Sequence, residues 1–536
     1  MNSTTTARVL SLEEAAEFAP EQVVGLSQEL AAAQQQVDVF KQQLEWYKRQ
    51  LFGHKSERRI IESAGAQLHL GELIDPGQGE APQQKRVVSA HTRSVATNTP
   101  EAGEECLPFF DETRVPVELI ELPATQAAGL APDEFEVISY KDSYRLAQRP
   151  GSYVVLKYRR PVIKLRETQS IVCASAPTGV IEGSRAEVSF VAGVLIDKFA
   201  YHIPLYRQHQ RLGDCGITVS RPWLTQLAHQ GGALLEPIYE AQFASIRHSR
   251  VKAMDETPIK AGRAGPGKMK GAYFWPVYGE HDEVCFPFFE SRRAQHLEQA
   301  LGLNHTEGTV LLSDGYSAYA HYAAKTGITH AQCWSHTRRL FFEAQDAEPQ
   351  AAAQALDLIG ALYELEARVR EDNLAAARKL DYRLIHAKPI VEQFFAWVNR
   401  KFEAQGLLPS NPLTKALAYA RERRCGLEVY LSDPDVPIDT NHLERALRAI
   451  PMGRKNWLFS WTELGAKYVG IVQSLIVTCR LHQIDPYDYL VDVLQRVGQH
   501  PASQVHLLTP RLWKQHFAAN PLRSALHDLL AKATTL

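Results

Sequence analysis

Asp255, in the run MDETPIK, and Asp314, in LLSDGYSAY, each follow a short stretch that reads as a β-strand, residues 251–254 and 309–313. Glu444 stands in IDTNHLERALRAI, where an Asn/Asp cap region leads into a helix. Two aspartates at neighbouring strand ends and a glutamate on an adjoining helix repel one another unless cations bridge them. Oxygen-only ligation suits Mg²⁺ or Mn²⁺. Two such ions about 3.5 to 4 Å apart activate a water or a 3′ hydroxyl and stabilise the leaving oxygen of a phosphodiester, which is in-line phosphoryl transfer. The competing reading makes the aspartates turn caps and Glu444, like Glu256, a surface charge, and the residues alone leave both open. Side chains alternate along a strand, so Glu256 is expected to point away if Asp255 points in.

Arg448 follows Glu444 by one helical turn, and Arg454 and Lys455 of GRKNW come next, all suited to phosphate contact. Trp457 and Trp461 could stack on a base or simply fill core. Cys333 and His336 form a Cys-x-x-His pair, but a structural zinc site takes about four ligands.

Positioning these residues requires a sheet. Residues 251–254, 272–278 and 284–289 read as three strands in hairpin succession. A helix over 292–303, a strand over 309–313, a helix over 317–325, a strand over 328–332 and a helix from Trp334 follow. That is the order of a ribonuclease-H-like sheet, with Asp255 and Asp314 on adjacent central strands. Residues 345–437 are Ala-, Leu-, Glu- and Arg-rich with helical spacing, an all-helical insertion, and 438–482 returns with the Glu444 helix to close the sheet. Residues 483–536 form a C-terminal helical module starting at Asp485-Pro486.

Upstream, Val23, Leu30, Val37, Leu44 and Leu51 recur every seven residues, with Leu26, Ala33, Phe40 and Tyr47 completing an a/d seam. Residues 1–62 are therefore expected to form a coiled-coil (leucine-zipper) region with a basic end, making the chain a homodimer or larger assembly. Residues 63–105 read as a linker, and 106–180 as a small β-rich module. Residues 181–249 have a helix-turn-helix outline: PLYRQHQRL, a break at Gly213 to Gly216, then a helix N-capped by Ser220. Arg207 and Arg221 are its candidate DNA contacts. Generic helical hairpins share that outline.

Length and composition agree with several domains, since 536 residues exceed what one core supports. With 45% hydrophobic and 22% charged residues the chain is neither disordered nor fibrous. The net charge of −2 hides runs with local cation excess, Lys141 to Glu167 and Glu444 to Arg480, which suit a polyanionic partner but are more often solvated faces, so charge alone does not decide. Charge-free apolar runs are too short to span a bilayer, and the N-terminus does not read as a signal peptide. The seven cysteines are scattered singly, so neither a disulfide framework nor a paired-cysteine zinc site is indicated. A reducing cytoplasm and no membrane contact are expected.

Seven motifs in order carry a resemblance: RQLFGHKSER, HIPLYRQHQRL, MDETPIK, LLSDGYSAY, AQCWSHTRRLFFE, IDTNHLERALRAIPMGRKNWLF, and IDPYDYLVDVL with LTPRLWK. Over nearly its whole length the chain resembles a DDE transposase of the bacterial insertion-sequence family numbered sixty-six, TnpC type. The resemblance implies a multidomain α+β protein with a ribonuclease-H-like α/β catalytic core over 250–344 and 438–482. It makes Asp255, Asp314 and Glu444 the catalytic metal ligands for two Mg²⁺ ions, replaceable by Mn²⁺. It further implies binding of the element's terminal inverted repeats, cleavage at their 3′ ends and transfer into target DNA, in a bacterial, nucleoid-associated setting and with accessory proteins of the same element as possible partners. His336 takes a structural or DNA-positioning role near the active site, with Cys333 as packing. Many members carry a cysteine-rich zinc module after the linker. Here Cys106 and Cys173 alone remain near it, so no zinc is expected. Thr440 stands where Asn is common. A domesticated, non-catalytic DNA-binding regulator would keep the zipper and the helix-turn-helix while losing the acids, and all three acids are present. A nuclease acting on RNA/DNA hybrids would share the acids without needing the zipper.

Overall fold

The computed structural model describes residues 109–124, 131, 134–149, 151–403 and 410–527. The chain divides into Met1–Thr92 and Arg93–Leu536, and every described residue belongs to the second unit. The heptad seam, its basic end, the segment read as a linker and Cys106 lie outside the described residues.

The β-rich module is a four-stranded sheet of β1 (Val117–Glu121), β2 (Phe135–Arg149), β3 (Ser152–Leu165) and β4 (Ile171–Cys173). Strand β3 pairs antiparallel with β2 along its length and with β1 in parallel, while β4 adds to its end. The tight β2–β3 reversal uses Gly151 at φ +83°, a conformation that costs glycine little. Two helices follow, Val188–Phe199, buried except at Lys198, and Leu205–Asp214. After a turn through Gly216 (φ +88°), Ser220 caps the Arg221–His248 helix by accepting from the Trp223 N–H. The sequence reads as helical as far as Gln230, and the Arg221–His248 helix is longer. It runs on through Gly231 and Gly232, where a Cβ would lie 3.1 Å from Leu195 and 3.0 Å from Tyr468. The glycine pair permits close helix packing and does not break the helix.

The central sheet has the order β9-β8-β5-β11-β12, formed by β5 (Val251–Met254), β8 (Val277–Gly279), β9 (Val284–Cys285), β11 (Val310–Ser313) and β12 (Thr329–Gln332). Strands β5, β11 and β12 are parallel, and β8 and β9 are antiparallel neighbours. A second sheet, β10-β7-β6, contains β6 (Thr257–Gly265), β7 (Lys268–Phe274) and β10 (Phe288–Phe289). Two strands expected over 272–278 and 284–289 are thus each divided between the sheets. The divisions fall at Pro276 and Pro287, which lack the N–H a ladder needs. Their carbonyls still serve, accepting from the Asp255 and Trp275 N–H groups at 3.3 and 3.0 Å.

The Glu463–Leu481 helix packs on Arg221–His248 and on β9. Ser474 and Thr478 accept from the Phe286 and Val284 N–H groups at 2.9 and 3.2 Å, which satisfies the outer edge of the sheet. Gly470 is required for that approach, since a Cβ there would sit 2.2 Å from the Phe286 carbonyl oxygen. Among the described residues this is the one helix long and apolar enough to cross a membrane, but 72% of its apolar window is buried in the protein. It is a core helix.

Between β12 and the Glu444 segment the chain is helical: Trp334–Glu343, Pro349–Glu371, Ala376–Tyr382, a π-turn at Arg383–Ala387, Lys388–Glu403, Pro412–Glu422 and Arg424–Glu428. Pro389 lies in a continuous helical run, just after the π-turn, and does not break it. The Arg383 guanidinium is buried and clamps the Glu366 carboxylate through bonds of 2.7 and 2.9 Å, while also donating to the carbonyls of Tyr430, Asp433 and Val436. Arg250, just before β5, holds the same loop through Asp433 and Asp435. That loop leads into the Asn441–Leu447 helix, which bears Glu444, and Ala449–Trp457 follows. At the C-terminal end Asp485 caps Pro486–Arg496 as its Asp-Pro signal suggests.

Candidate active site

Strands β5 and β11 pair in parallel with Ala253 opposite Leu312, so Asp255 and Asp314, two residues beyond, leave the sheet side by side. In the same register Ser313 pairs with Gln332, which brings Cys333 to the next strand end. Both strands are buried on both faces, giving the rigid support that two converging carboxylates need. Asp255 Oδ1 accepts from the Glu256 N–H at 2.7 Å, and Asp314 Oδ1 from the Tyr316 N–H at 2.9 Å. Each aspartate therefore caps its own turn while presenting its carboxylate to the other.

One oxygen each from Asp255, Glu256 and Asp314 lies within 4.8 Å of the others. This corrects the expectation that Glu256 faces away. Strand β5 ends at Met254, and Asp255-Glu256 is the link by which the chain passes between sheets, so the alternation of a strand no longer applies. Glu256 is nevertheless fully engaged, by Arg292 Nε at 2.6 Å and the Tyr319 hydroxyl at 2.7 Å. Burial pushes the Asp255 carboxyl up to about 7, with the charges of Glu256 and Asp314 adding to the effect and the Glu256 N–H and His336 opposing it. A cation among these oxygens would relieve that cost. The donor set is oxygen-only and fits a hard divalent ion.

Glu444 is not in that group. Its carboxylate is 3.9 Å from His336 Nε2 and is partly exposed. Burial works against charge on His336, but the Cys333 thiol and the carboxylates of Asp314 and Glu444 outweigh it and push the imidazole up to about 9. Burial likewise opposes a Cys333 thiolate, and His336 more than compensates, lowering the thiol. Cys333 also meets Thr440, whose N–H and hydroxyl lie 3.3 and 3.2 Å from its sulfur. His336 thus stands between the aspartates and Glu444, at the point where Cys333 joins β12 to the start of the Glu444 helix.

Arg448 and Lys455 are exposed on the helices that follow Glu444. Arg454 is partly spent, since its guanidinium donates to the Pro258 carbonyl of β6. Trp461 is 54% exposed beneath the Arg263 guanidinium, and Trp457 is half-buried. Arg207, on the Leu205–Asp214 helix, and Arg221, at the start of the Arg221–His248 helix, are exposed. Arg221 begins a 28-residue helix, so the length of that helix, roughly 40 Å, separates it from β5. Sequence reasoning missed Arg292, which nothing nearby marks. It also missed Arg423, whose Nη2 donates to the Gly315 carbonyl at 3.1 Å and ties the helical insertion to the Asp314 loop. Tyr319 was visible within LLSDGYSAY.

Carboxylates gathered at the ends of parallel strands, beside the His336 imidazole, define a candidate divalent-cation site on a mixed α/β scaffold. Comparison with known families says which scaffold. The family described as "Transposase IS66 family" matches residues 183–468, and the "IS66 C-terminal element" matches 474–510. A third description, "Transposase C of IS166 homeodomain", matches 40–105, spanning the end of the heptad seam and the stretch read as a linker. Relatives from Sinorhizobium fredii (strain NBRC 101917 / NGR234) include "Uncharacterized protein y4qI", 32% identical over 73% of this chain and 74% of the relative. "Uncharacterized protein y4hP" is 27% identical over 88% of each. The chain belongs to the transposase IS66 family. It is a DNA-binding protein of transposition.

Proposed function

We propose that this transposase works by DDE chemistry, binding the terminal inverted repeats of its own element, cleaving their 3′ ends and joining them to target DNA. The observation that carries the reading is the register that sets Asp255 beside Asp314 on adjacent parallel strands. The sheet order β9-β8-β5-β11-β12, with its last three strands parallel, supports a ribonuclease-H-like core over 250–344 and 438–482, interrupted by the helical insertion 345–437. In this reading Asp255 and Asp314 hold Mg²⁺, or Mn²⁺ in its place, and Glu444 swings from His336 to complete the set. When bound, two such ions supply charge neutralisation at the scissile phosphate and ease deprotonation of the attacking hydroxyl. Glu256 braces the aspartates through Arg292 and Tyr319. His336, when protonated, places positive charge beside the phosphate, while Arg448 and Lys455 grip the backbone on either side. Residues 40–105 and the helix-turn-helix with Arg207 and Arg221 bind the repeats. Incubating the protein with labelled element ends, Mg²⁺ and a target plasmid tests this: joined end-plasmid products are expected, and uncut ends under conditions of stable binding would refute it.

The same reading makes residues 23–51 the dimer contact that pairs two ends. Leu44→Pro removes a helical hydrogen bond and clashes with the preceding turn, costing about 3 kcal/mol or more. Light scattering should show the particle fall to monomer mass. An intact protein already monomeric at micromolar concentration and on DNA would contradict the assignment.

A further inference from the structure

Beside the His336–Glu444 pair lies a cleft of about 400 Å³ lined by Ser335, Arg338, Arg339, Phe342, Tyr363 and Asn441. Four of the six come from one helix, Trp334–Glu343, at spacings of three, four and seven residues, so they form a single stripe. The other face of that helix buries Trp334, Thr337 and Phe341 in the core. The stripe is therefore held rigidly. Tyr363 forms a second wall from the Pro349–Glu371 helix, its hydroxyl buried beside Asp439. Asn441 closes the cleft at the start of the helix that carries Glu444 one turn later.

The chemistry of this lining is specific. Arg338 and Arg339 are exposed, and the Arg339 guanidinium makes a long 3.8 Å contact with Glu343. Phe342 is 57% exposed although the adjacent Phe341 is fully buried, so its ring is offered to the cleft rather than used by the core. Guanidinium groups bind phosphate, aromatic faces stack on bases, and an Asn amide can bond a base edge. A cleft with all three, in which Ser335 adjoins His336 and Asn441 lies one turn before Glu444, has the features of a nucleotide site next to the cut.

We propose that the cleft takes one unpaired nucleotide of the element end, immediately flanking the scissile phosphate. Phe342 and Tyr363 sandwich its base, and Arg338 and Arg339 hold its phosphate. The proposal rests on the DDE reading above and deepens it. Extruding that nucleotide frees the phosphodiester from the duplex and fixes its position against Asp255 and Asp314.

The test uses the full chain and a terminal-repeat duplex carrying 2-aminopurine at the position flanking the cut. With Ca²⁺ in place of Mg²⁺, wild-type protein should shift the fluorescence of that base from its value in the free duplex, and Phe342→Ala should not. In Mg²⁺, Phe342→Ala and Arg338→Ala should bind the duplex within about threefold of wild type but cleave it about tenfold more slowly. Phe342→Trp should keep wild-type cleavage. A mismatch that unpairs the flanking base beforehand should restore most of the Phe342→Ala rate, which a purely structural defect would not allow. Unchanged cleavage by both alanine variants, absence of mismatch rescue, or a defect confined to strand transfer by precleaved ends would overturn the proposal while leaving the DDE reading intact. Persistence of cleavage in Asp255→Asn would instead remove that reading, and the Ca²⁺ fluorescence comparison would still decide the cleft.

Discussion

Asp255→Asn and Asp314→Asn are each expected to lower Mg²⁺-dependent cleavage of an element end on the order of 10³-fold or more, with end binding close to wild type. Asparagine keeps the size and the turn-capping oxygen that accept the Glu256 and Tyr316 N–H bonds, so the fold has no reason to fail. What it removes is the negative charge that holds a cation. The double variant should be no worse than either single one, because the two carboxylates act as one unit. A readout independent of DNA accompanies this. A ligand that binds only the native state raises stability, by about 2.7 kcal/mol at a hundred times its dissociation constant, so Mn²⁺ should raise the melting temperature of wild type and not of either variant. An equal Mn²⁺ shift in Asp314→Asn would place the metal elsewhere.

Arg383→Met is expected to be the most destabilising single change in the helical insertion. Both Arg383 and Glu366 are buried, and removing one member of such a pair strands the other, at a cost of about 3 to 5 kcal/mol. Three carbonyls also lose their donor, that of Tyr430 in the short 3-10 helix Val429–Leu431 and those of Asp433 and Val436 in the loop leading to the Glu444 helix. Glu366→Gln, which leaves those carbonyls served, should cost less. Denaturant unfolding without DNA measures both. A loss under about 1 kcal/mol for Arg383→Met would mean that water reaches the guanidinium or that the loop is held mainly from the Arg250 side.

Local signals were readable where they depend on neighbours in sequence. Ser220 and Asp485 cap helices as their side-chain types suggest, and the apolar runs ending in Asp255 and Asp314 are strands. Legibility failed where tertiary packing overrode such signals. Gly231-Gly232 has the composition of a break, yet helices approach closely there. Pro276 and Pro287 lie within apolar runs that look continuous until the chain is seen to change sheets. Glu256 was misplaced because strand alternation was extended two residues past the end of β5. The Arg383–Glu366 clamp joins residues 17 apart on separate helical elements, a contact that no local pattern encodes. The same limit applies to Glu444: its helix was visible in the sequence, but its present partner, His336, is set by how the helical insertion closes.

The choice between Glu444 and Glu256 as the third acid tests the account most directly. A terminal-repeat duplex labelled at its cut strand is incubated with Mg²⁺ and with wild type, Glu444→Gln or Glu256→Gln protein, each first shown to bind the duplex equally. Wild type should release the 3′ end, Glu444→Gln should release essentially none, and Glu256→Gln should retain about a tenth or more of the rate, since it braces the site through Arg292 and Tyr319 and is not the completing ligand. Robust cleavage by Glu444→Gln together with loss in Glu256→Gln would contradict the account and make the compact Asp255–Glu256–Asp314 group the metal site by itself.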